Sequence, residues 1–445
     1  MRLSASPRSQ GLRPPLPQRA QGPSVWGSFP FFCLVGFVAT QGFLIPVMPL
    51  PINWAMWPSL PDIFGYGLFL AVVFSTGRQT VAPFDRETIK DLSGMLLIFT
   101  ANFLSVTLPF SETGVGVRFG GFTLLLMTKF LLVYWAASHI PMTLRRLKIL
   151  HLSALGAFFW ITLTMMADRF HLIELDRFAA HLPAGTSGKW SVSGLDSTVG
   201  PNHGQTSVAI LVIAAFVILT ESPLFGWVME AVVLLLGGAG TLLTGSRQGL
   251  VRVATFVAVY LGPNPRRLLL ILLALVPISV IIGANMSSKT IHENEAAQES
   301  IERQMVLFHD PLSNEGLSGR PDLWMSVLDT LNEKPIRWVI GYGIGNYAEH
   351  RNPAHSMVLQ LLQDGGLIML MIVSWLWFRI FQRIWAAKKR SWQMVALTAG
   401  LLSSALTSGI FYPNLATGWY LGFYFVAMHV AYADILPERR RGALA

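Results

Sequence analysis

The sequence predicts an all-α polytopic membrane protein of about twelve transmembrane helices with a large helical extracytoplasmic loop. Three observations carry this expectation. The 445 residues are 52% hydrophobic and only 13% charged, where a soluble domain carries roughly 25% charged residues. Apolar runs close to the roughly 20 residues that cross a bilayer recur along the chain. Lys and Arg gather in alternate connections between those runs. With a mean hydropathy of +0.50, this composition excludes a cytosolic enzyme, a disordered chain and a secreted disulfide scaffold. A single cysteine, Cys33, lies in an apolar run, so neither an intrachain disulfide nor a cysteine metal site is available.

Residues 1–27 hold four Arg and five Pro and no apolar stretch. They read as a disordered basic tail and not as a signal peptide. Transmembrane helices one to nine are expected within 28–284, at about 29–46, 58–76, 92–110, 121–140, 149–166, 206–220, 225–244, 248–262 and 267–284. A smaller loop, 167–205, interrupts them, and a large loop follows at 285–355. Helices ten to twelve, at about 356–378, 393–410 and 416–434, fill the block 356–434 before a second basic tail, 435–445.

Charge sets the orientation. With both termini in the cytoplasm, the inner segments collect Arg78, Arg86, Lys90, Arg145, Arg146, Lys148, Arg266, Arg267, Arg383, Lys388, Lys389 and both basic tails. The short outer segments hold only Arg118, Arg247 and Arg252. Positive charge resists translocation, so this asymmetry places both long loops outside. It also accounts for most of the net charge of +9, which needs no nucleic acid to explain it. A cysteine placed at Asn314, in the second loop, should react with an impermeant thiol reagent on intact cells; reaction only after the inner membrane is breached would reverse the orientation.

The second loop is acidic and structured. Residues 287–308 read as a polar helix, and His292-Glu293-x-Glu295 belongs to its exposed face rather than to a metal site. Pro321 suits a helix start, and Leu323, Trp324, Val327, Leu328 and Leu331 then recur at helical spacing. Arg320 sits just before that helix, where an anion attracted by the helix end would also meet the guanidinium. Gly341-Tyr342-Gly343-Ile344-Gly345-Asn346 lacks the Lys-Ser/Thr of a phosphate loop and reads as a flexible connection. Pro353 puts the next helix start after it, with His355 in the first turn. Within the apolar spans the ionisable residues are Lys129, Glu230, Arg252 and Asp364, too sparse for a proton relay. Asp364 precedes Gly365-Gly366, a pair that marks a kink or a close helix contact.

Three short pieces stand out together on the outer side: Thr244-Gly245-Ser246-Arg247-Gln248-Gly249, then Ser318-Gly319-Arg320-Pro321-Asp322-Leu323-Trp324, then Gly341–Asn346 followed by Ala354-His355-Ser356 and Leu359-Gln360. Their order and spacing resemble the O-antigen ligase/polymerase superfamily of bacterial envelope glycosyltransferases. Gly200-Pro201-Asn202 resembles that family's Pro-Asn element in the smaller loop. The resemblance covers about 167–375, and position 356 is Ser where many members have Asn.

The resemblance implies a GT-C-type, inverting, metal-independent glycosyltransferase of the bacterial inner membrane, with its active site facing the periplasm and no cofactor. The implied donor is a glycan on undecaprenyl diphosphate, and the implied acceptor is a hydroxyl of a growing glycan or of lipid A–core. Polymerisation of O-antigen or exopolysaccharide repeat units is the leading expectation and O-antigen ligation the alternative; a flippase and a chain-length regulator are the implied partners. Chemistry agrees with the motif set. A departing diphosphate gathers negative charge, and the permanently charged fork of Arg matches phosphate oxygens. Arg247 and Arg320 are therefore the expected diphosphate ligands and His355 the expected base for the acceptor hydroxyl. Arg252, Glu349, Asp322 and Asn202 are weaker candidates, and no metal ligand is expected. A transporter or flippase of lipid-linked sugars would show charged or broken helices at the midplane and a repeat between halves, and the sequence shows neither.

Overall fold

The computed structural model describes residues 29–45, 47, 58–75, 83–169, 172–175, 203–220, 226–244, 246–264, 266, 320–346, 354–388, 391–405 and 417–433. Among them the structure is helical, without a strand. In chain order the helices are α1 (Phe29–Ala39), α2 (Leu60–Ser75), α3 (Pro83–Asn102), α4 (Val115–Ser138), α5 (Leu144–Arg169), α6 (His203–Thr220), α7 (Gly226–Leu243), α8 (Arg247–Leu261), α9 (Arg320–Glu333), α10 (Ile336–Ile340), α11 (Met357–Ala386), α12 (Trp392–Leu402) and α13 (Thr417–Tyr432). Apart from α9 and α10 each of these overlaps a stretch where an apolar helix was expected; the ninth span, 267–284, lies outside the described residues. So do the two basic tails, most of the loop at 167–205, the polar helix expected at 287–308, and both Asn202 and Glu349.

Four helical stretches, Asp85–Phe110, Val115–Ser138, Leu144–Asp168 and Met357–Ala386, are long and apolar enough to cross a membrane by themselves, and six more are apolar but shorter. Large apolar side chains such as Phe74, Leu97, Leu152, Leu163, Met371 and Phe378 stand exposed along them, as lipid contact requires. The protein is thus a multi-pass helical membrane protein. Its centre is α6, apolar on every side, with Val208 through Leu219 all buried. A helix apolar all round belongs inside a bundle, and α6 is packed by α5, α7, α12 and α13.

Two helices depart from regular geometry, each for a local reason. Beyond Asn102, α3 widens into a π-helical stretch, Phe103–Thr107, before a last turn at Leu108–Phe110. Pro109 has no N–H to offer the carbonyl one turn back, so the α pattern cannot continue through it. In α11, Gly366 adopts φ 64°, ψ −162°, which breaks the helix into two segments. This is the kink that Gly365-Gly366 forecast. Residues 357–366 are buried or half-buried, whereas exposed apolar side chains begin at Leu367 and continue through Ile368, Met371, Trp375 and Phe378 to Trp385. Asp364 therefore lies in the protein-enclosed segment of α11 before the break.

Charges elsewhere in the bundle are paired. Lys129 on α4 meets Asp62 on α2 in a buried ion pair, so this intramembrane cation is structural. Near the other end of α11, Arg383 bonds Asp91 at 2.6 Å and Thr88 at 2.9 Å, and Arg379 adds a second contact to Asp91. Asp85 accepts from Tyr134 and pairs with His429, both at 2.7 Å, which ties α3, α4 and α13 together.

Candidate active site

The candidate residues lie at helix starts. Ser246 caps α8, its hydroxyl accepting from the Gly249 N–H at 3.1 Å. A short polar side chain in that position satisfies an amide that the helix leaves open, and it holds Arg247 at the first helical position. Arg320 begins α9 and Pro321 follows it, one residue further into the helix than the sequence led us to place the arginine. Asp322 is exposed in the first turn of α9, where a carboxylate stabilises the helix end.

His355 differs from its expected setting. The helix begins at Met357 and its cap is Ser356, which accepts from the Leu359 N–H at 3.4 Å. His355 therefore precedes the cap, and its φ of 50° makes it the one non-glycine residue with positive φ among those described. A left-handed backbone costs an L-residue roughly 1–2 kcal/mol and is retained where neighbours enforce it. Those neighbours are identifiable. The Trp324 indole N–H, one turn into α9, donates to the Ala354 carbonyl at 3.1 Å. The Ala354 N–H donates to Gln360 Oε1 at 3.2 Å, and the Met357 N–H donates to the Ala405 carbonyl at 3.0 Å. The Gly-Arg-x-x-x-Trp spacing thus has a physical content: the tryptophan at the end of the motif pins the peptide just before the histidine to the helix that Arg320 begins. A small apolar core of Val327, Leu331, Ala354 and Leu362 seals the same junction.

Arg320 is electrostatically linked to each of the other three basic candidates. Burial and the Arg247 charge lower the pKa of Arg320. His355 is exposed, yet enough protein surrounds it that partial loss of water, followed by the Arg320 charge, lowers its pKa as well. Arg320 also repels Arg252. Arg252 is nevertheless fully buried. Its Nε donates to Ser404 Oγ at 2.6 Å, Nη1 to the Gly204 carbonyl and Ser207 Oγ at 3.2 Å each, and Nη2 to Gln248 Oε1 at 3.1 Å. Its guanidinium fork is thereby engaged by α6, by its own helix and by the turn after α12, whereas Arg247 and Arg320 retain partial exposure.

The glycine-rich segment is a docked connector, contrary to the flexible loop expected from its composition. Gly341, Gly343 and Gly345 all have positive φ, at 69°, 98° and 84°. The Tyr342 and Gly343 N–H groups donate to the Gln363 and Asp364 carbonyls at 2.7 and 2.8 Å, carbonyls that the break at Gly366 releases from α11. On the other side, Asn102 Oδ1 accepts from the Ile344 N–H at 3.0 Å, and Thr107 Oγ1 donates to the Ile344 carbonyl at 3.1 Å. The segment is clamped between the broken α11 and the π-helical end of α3. A Cβ at Gly343 would meet Thr107 Oγ1 at 2.6 Å and Thr107 N at 2.8 Å. Gly343→Val should therefore destabilise the purified protein by about 3 kcal/mol or more, from strain and overpacking together, visible as a lowered Tm in detergent; an unchanged Tm would mean that the clamp does not hold in solution.

Sequence reasoning did not find the supporting residues Asn102, Thr107, Ser207 and Ser404, and it singled out Gln360 only as a member of the motif order. A signal for its supporting role existed: with Asp364 it forms a polar pair at helical spacing.

Fold and geometry define a class, a multi-pass helical membrane protein with arginines and a histidine gathered where helices begin. Residues 231–374 match the family model described as O-antigen ligase. The match supports the O-antigen ligase/polymerase superfamily and spans Arg247, Arg252, Arg320 and His355 but not the docking partners on α3. No protein of curated function matches the chain.

Proposed function

We propose that the protein is an inner-membrane glycosyltransferase that moves a glycan from undecaprenyl diphosphate to an acceptor hydroxyl on the periplasmic side. The observation that carries this reading is the gathering of Arg247, Arg252 and Arg320 beside His355, with the charge of Arg320 felt by Arg252 and His355 and that of Arg247 felt by Arg320. Like charges brought together in a poorly solvated place raise the energy of the protein, and a polyanion of matching size relieves it. Arg247 and Arg320 hold the diphosphate through paired N–H groups and stabilise the charge that grows as it leaves. Arg252, its donors engaged by protein, adds positive potential from beneath and keeps the first turn of α8 in place through Gln248. His355 takes the proton of the attacking hydroxyl, the bond between the anomeric carbon and the diphosphate oxygen breaks, and the new glycosidic bond forms from the opposite face. Glu349 and Asp322 are the acidic alternatives to His355, and Asn202 is a weaker candidate in the smaller loop.

The acceptor defines two versions of this reaction. Joining repeat units into an O-antigen or exopolysaccharide is the version that the sequence reading favours. Attachment of the polymer to lipid A–core is the version that the description of the matched family favours. Deletion of the gene separates them. Lipid A–core bearing one repeat unit would identify a polymerase, and bare core with accumulated lipid-linked polymer a ligase. Unaltered polysaccharide in the deletion strain would remove both.

A further inference from the structure

We propose that Gln360 is a positioning residue for His355, the central link of a strap that runs from the Asp364 carboxylate to the peptide before the histidine. Gln360 is buried and works at both ends: Nε2 donates to Asp364 Oδ2 at 3.1 Å, and Oε1 accepts from the Ala354 N–H at 3.2 Å. The Ala354 carbonyl is taken by the Trp324 indole, so both polar groups of Ala354 are fixed. Beyond the histidine, Ser356 caps α11 and the Met357 N–H is tied to the Ala405 carbonyl. His355 is thus held from both sides in a backbone conformation that it would otherwise leave.

The amide is the side chain that this place requires. Asp364 presents an acceptor and the Ala354 N–H a donor, so the link must donate at one end and accept at the other. The carboxylate also fixes which way the amide faces, and with it the register of the peptide above. Gln360 and Asp364 sit one turn apart on the segment of α11 that ends at the Gly366 break, and the Asp364 carbonyl is itself bound by Gly343.

This proposal rests on the role assigned to His355 and makes a prediction that a merely structural glutamine would not. In Gln360→Glu a second carboxylate faces Asp364 and the strap is broken. In the double variant Gln360→Glu/Asp364→Asn the two groups trade places. The amide now at position 364 donates to the carboxylate now at position 360, whose other oxygen accepts from Ala354, so the strap is rebuilt with its charge moved. With purified full-length enzyme and a lipid-diphosphate-linked glycan, Gln360→Glu should lose about 10²-fold in kcat, the scale of a misplacement near 1 Å, with donor affinity unchanged. The double variant should recover most of that loss. Wild-type turnover in a folded Gln360→Glu, or a double variant no better than the single, overturns the strap. Should Gln360→Glu fail to fold, Trp324→Phe removes only the indole donor and carries the same expectation, so wild-type kcat in that variant also overturns it. His355→Ala, assayed alongside, separates the two ideas: full activity there refutes the role of the histidine, whereas loss of activity there with wild-type turnover in Gln360→Glu refutes the strap alone.

Discussion

Replacing His355 with alanine is expected to lower kcat by about 10²–10⁴, the usual worth of a positioned general base, while affinity for the lipid-linked donor persists. In the proposed reading donor binding rests on the arginines, which the substitution leaves in place. The pH dependence sharpens the test. Burial and the Arg320 charge hold the His355 pKa below the ordinary histidine range, so the imidazole is neutral at pH 7 and free to accept a proton. Turnover should fall as the pH drops through that lowered pKa. A bound diphosphate supplies negative charge nearby and favours the imidazolium, so the acid limb of kcat should lie at higher pH than the acid limb of kcat/KM. An enzyme that contacts the diphosphate through His355 would instead lose donor affinity in His355→Ala. A cap role is already filled by Ser356. Wild-type activity in His355→Asn would therefore take the histidine out of the mechanism, leaving Asp322 and Glu349 to be tested next.

Arg320→Lys should cost about 10²-fold in kcat/KM for the donor although the positive charge is kept, a loss comparable to that of one preorganised donor to a developing anion. The reason is shape. A guanidinium offers paired, coplanar N–H groups to two phosphate oxygens, and an ammonium offers one point of contact. Lysine is also more strongly hydrated, and Arg320 stands where water is partly removed. The measurement is donor titration and initial rate on the purified variant, with Arg320→Ala as the lower bound. If Arg320→Lys retains wild-type kcat/KM, Arg320 acts only through long-range charge, and Arg247 alone would have to carry the bidentate contact.

Much of the helical framework was legible because apolar helices write themselves in apolar runs, from α1 to α8 and from α11 to α13. The motif order also placed Arg247, Arg320 and His355 on one list before any contact was known. What escaped the sequence were features decided by partners remote in the chain. The Gly341–Asn346 segment has the composition of a loose loop, and partners on α11 and on α3 with its π-helical end, Gln363, Asp364, Asn102 and Thr107, make it rigid. His355 looked like a helix residue because Pro353 marked the boundary, but Ser356 took the cap and Ala354 was drawn aside by Trp324 and Gln360. Arg252 looked like a third ligand candidate by residue type, and hydroxyls from two other elements, Ser207 and Ser404, occupy it instead.

The clamp between α3 and the broken α11 has a consequence for the order of assembly during synthesis. The contacts of Ile344 with Thr107 and Asn102 join residues 237 and 242 positions apart, and closing so long a stretch of chain is a late and slow event. The other half of the clamp, the carbonyls of Gln363 and Asp364, is made by the ribosome only after the glycine segment itself. Until α11 is made, the amides of Tyr342 and Gly343 lack the carbonyls that hold them, and the glycine segment is only half clamped. Nascent chains that stop short of α11 should therefore be cut readily within 320–346 by added protease, and chains extended through Ala386 should resist, with the change arriving abruptly as α11 enters the bilayer. Maturation of this enzyme would then be gated by the insertion of one late helix, and cleavage that stays equally fast in both sets of chains would exclude that gate.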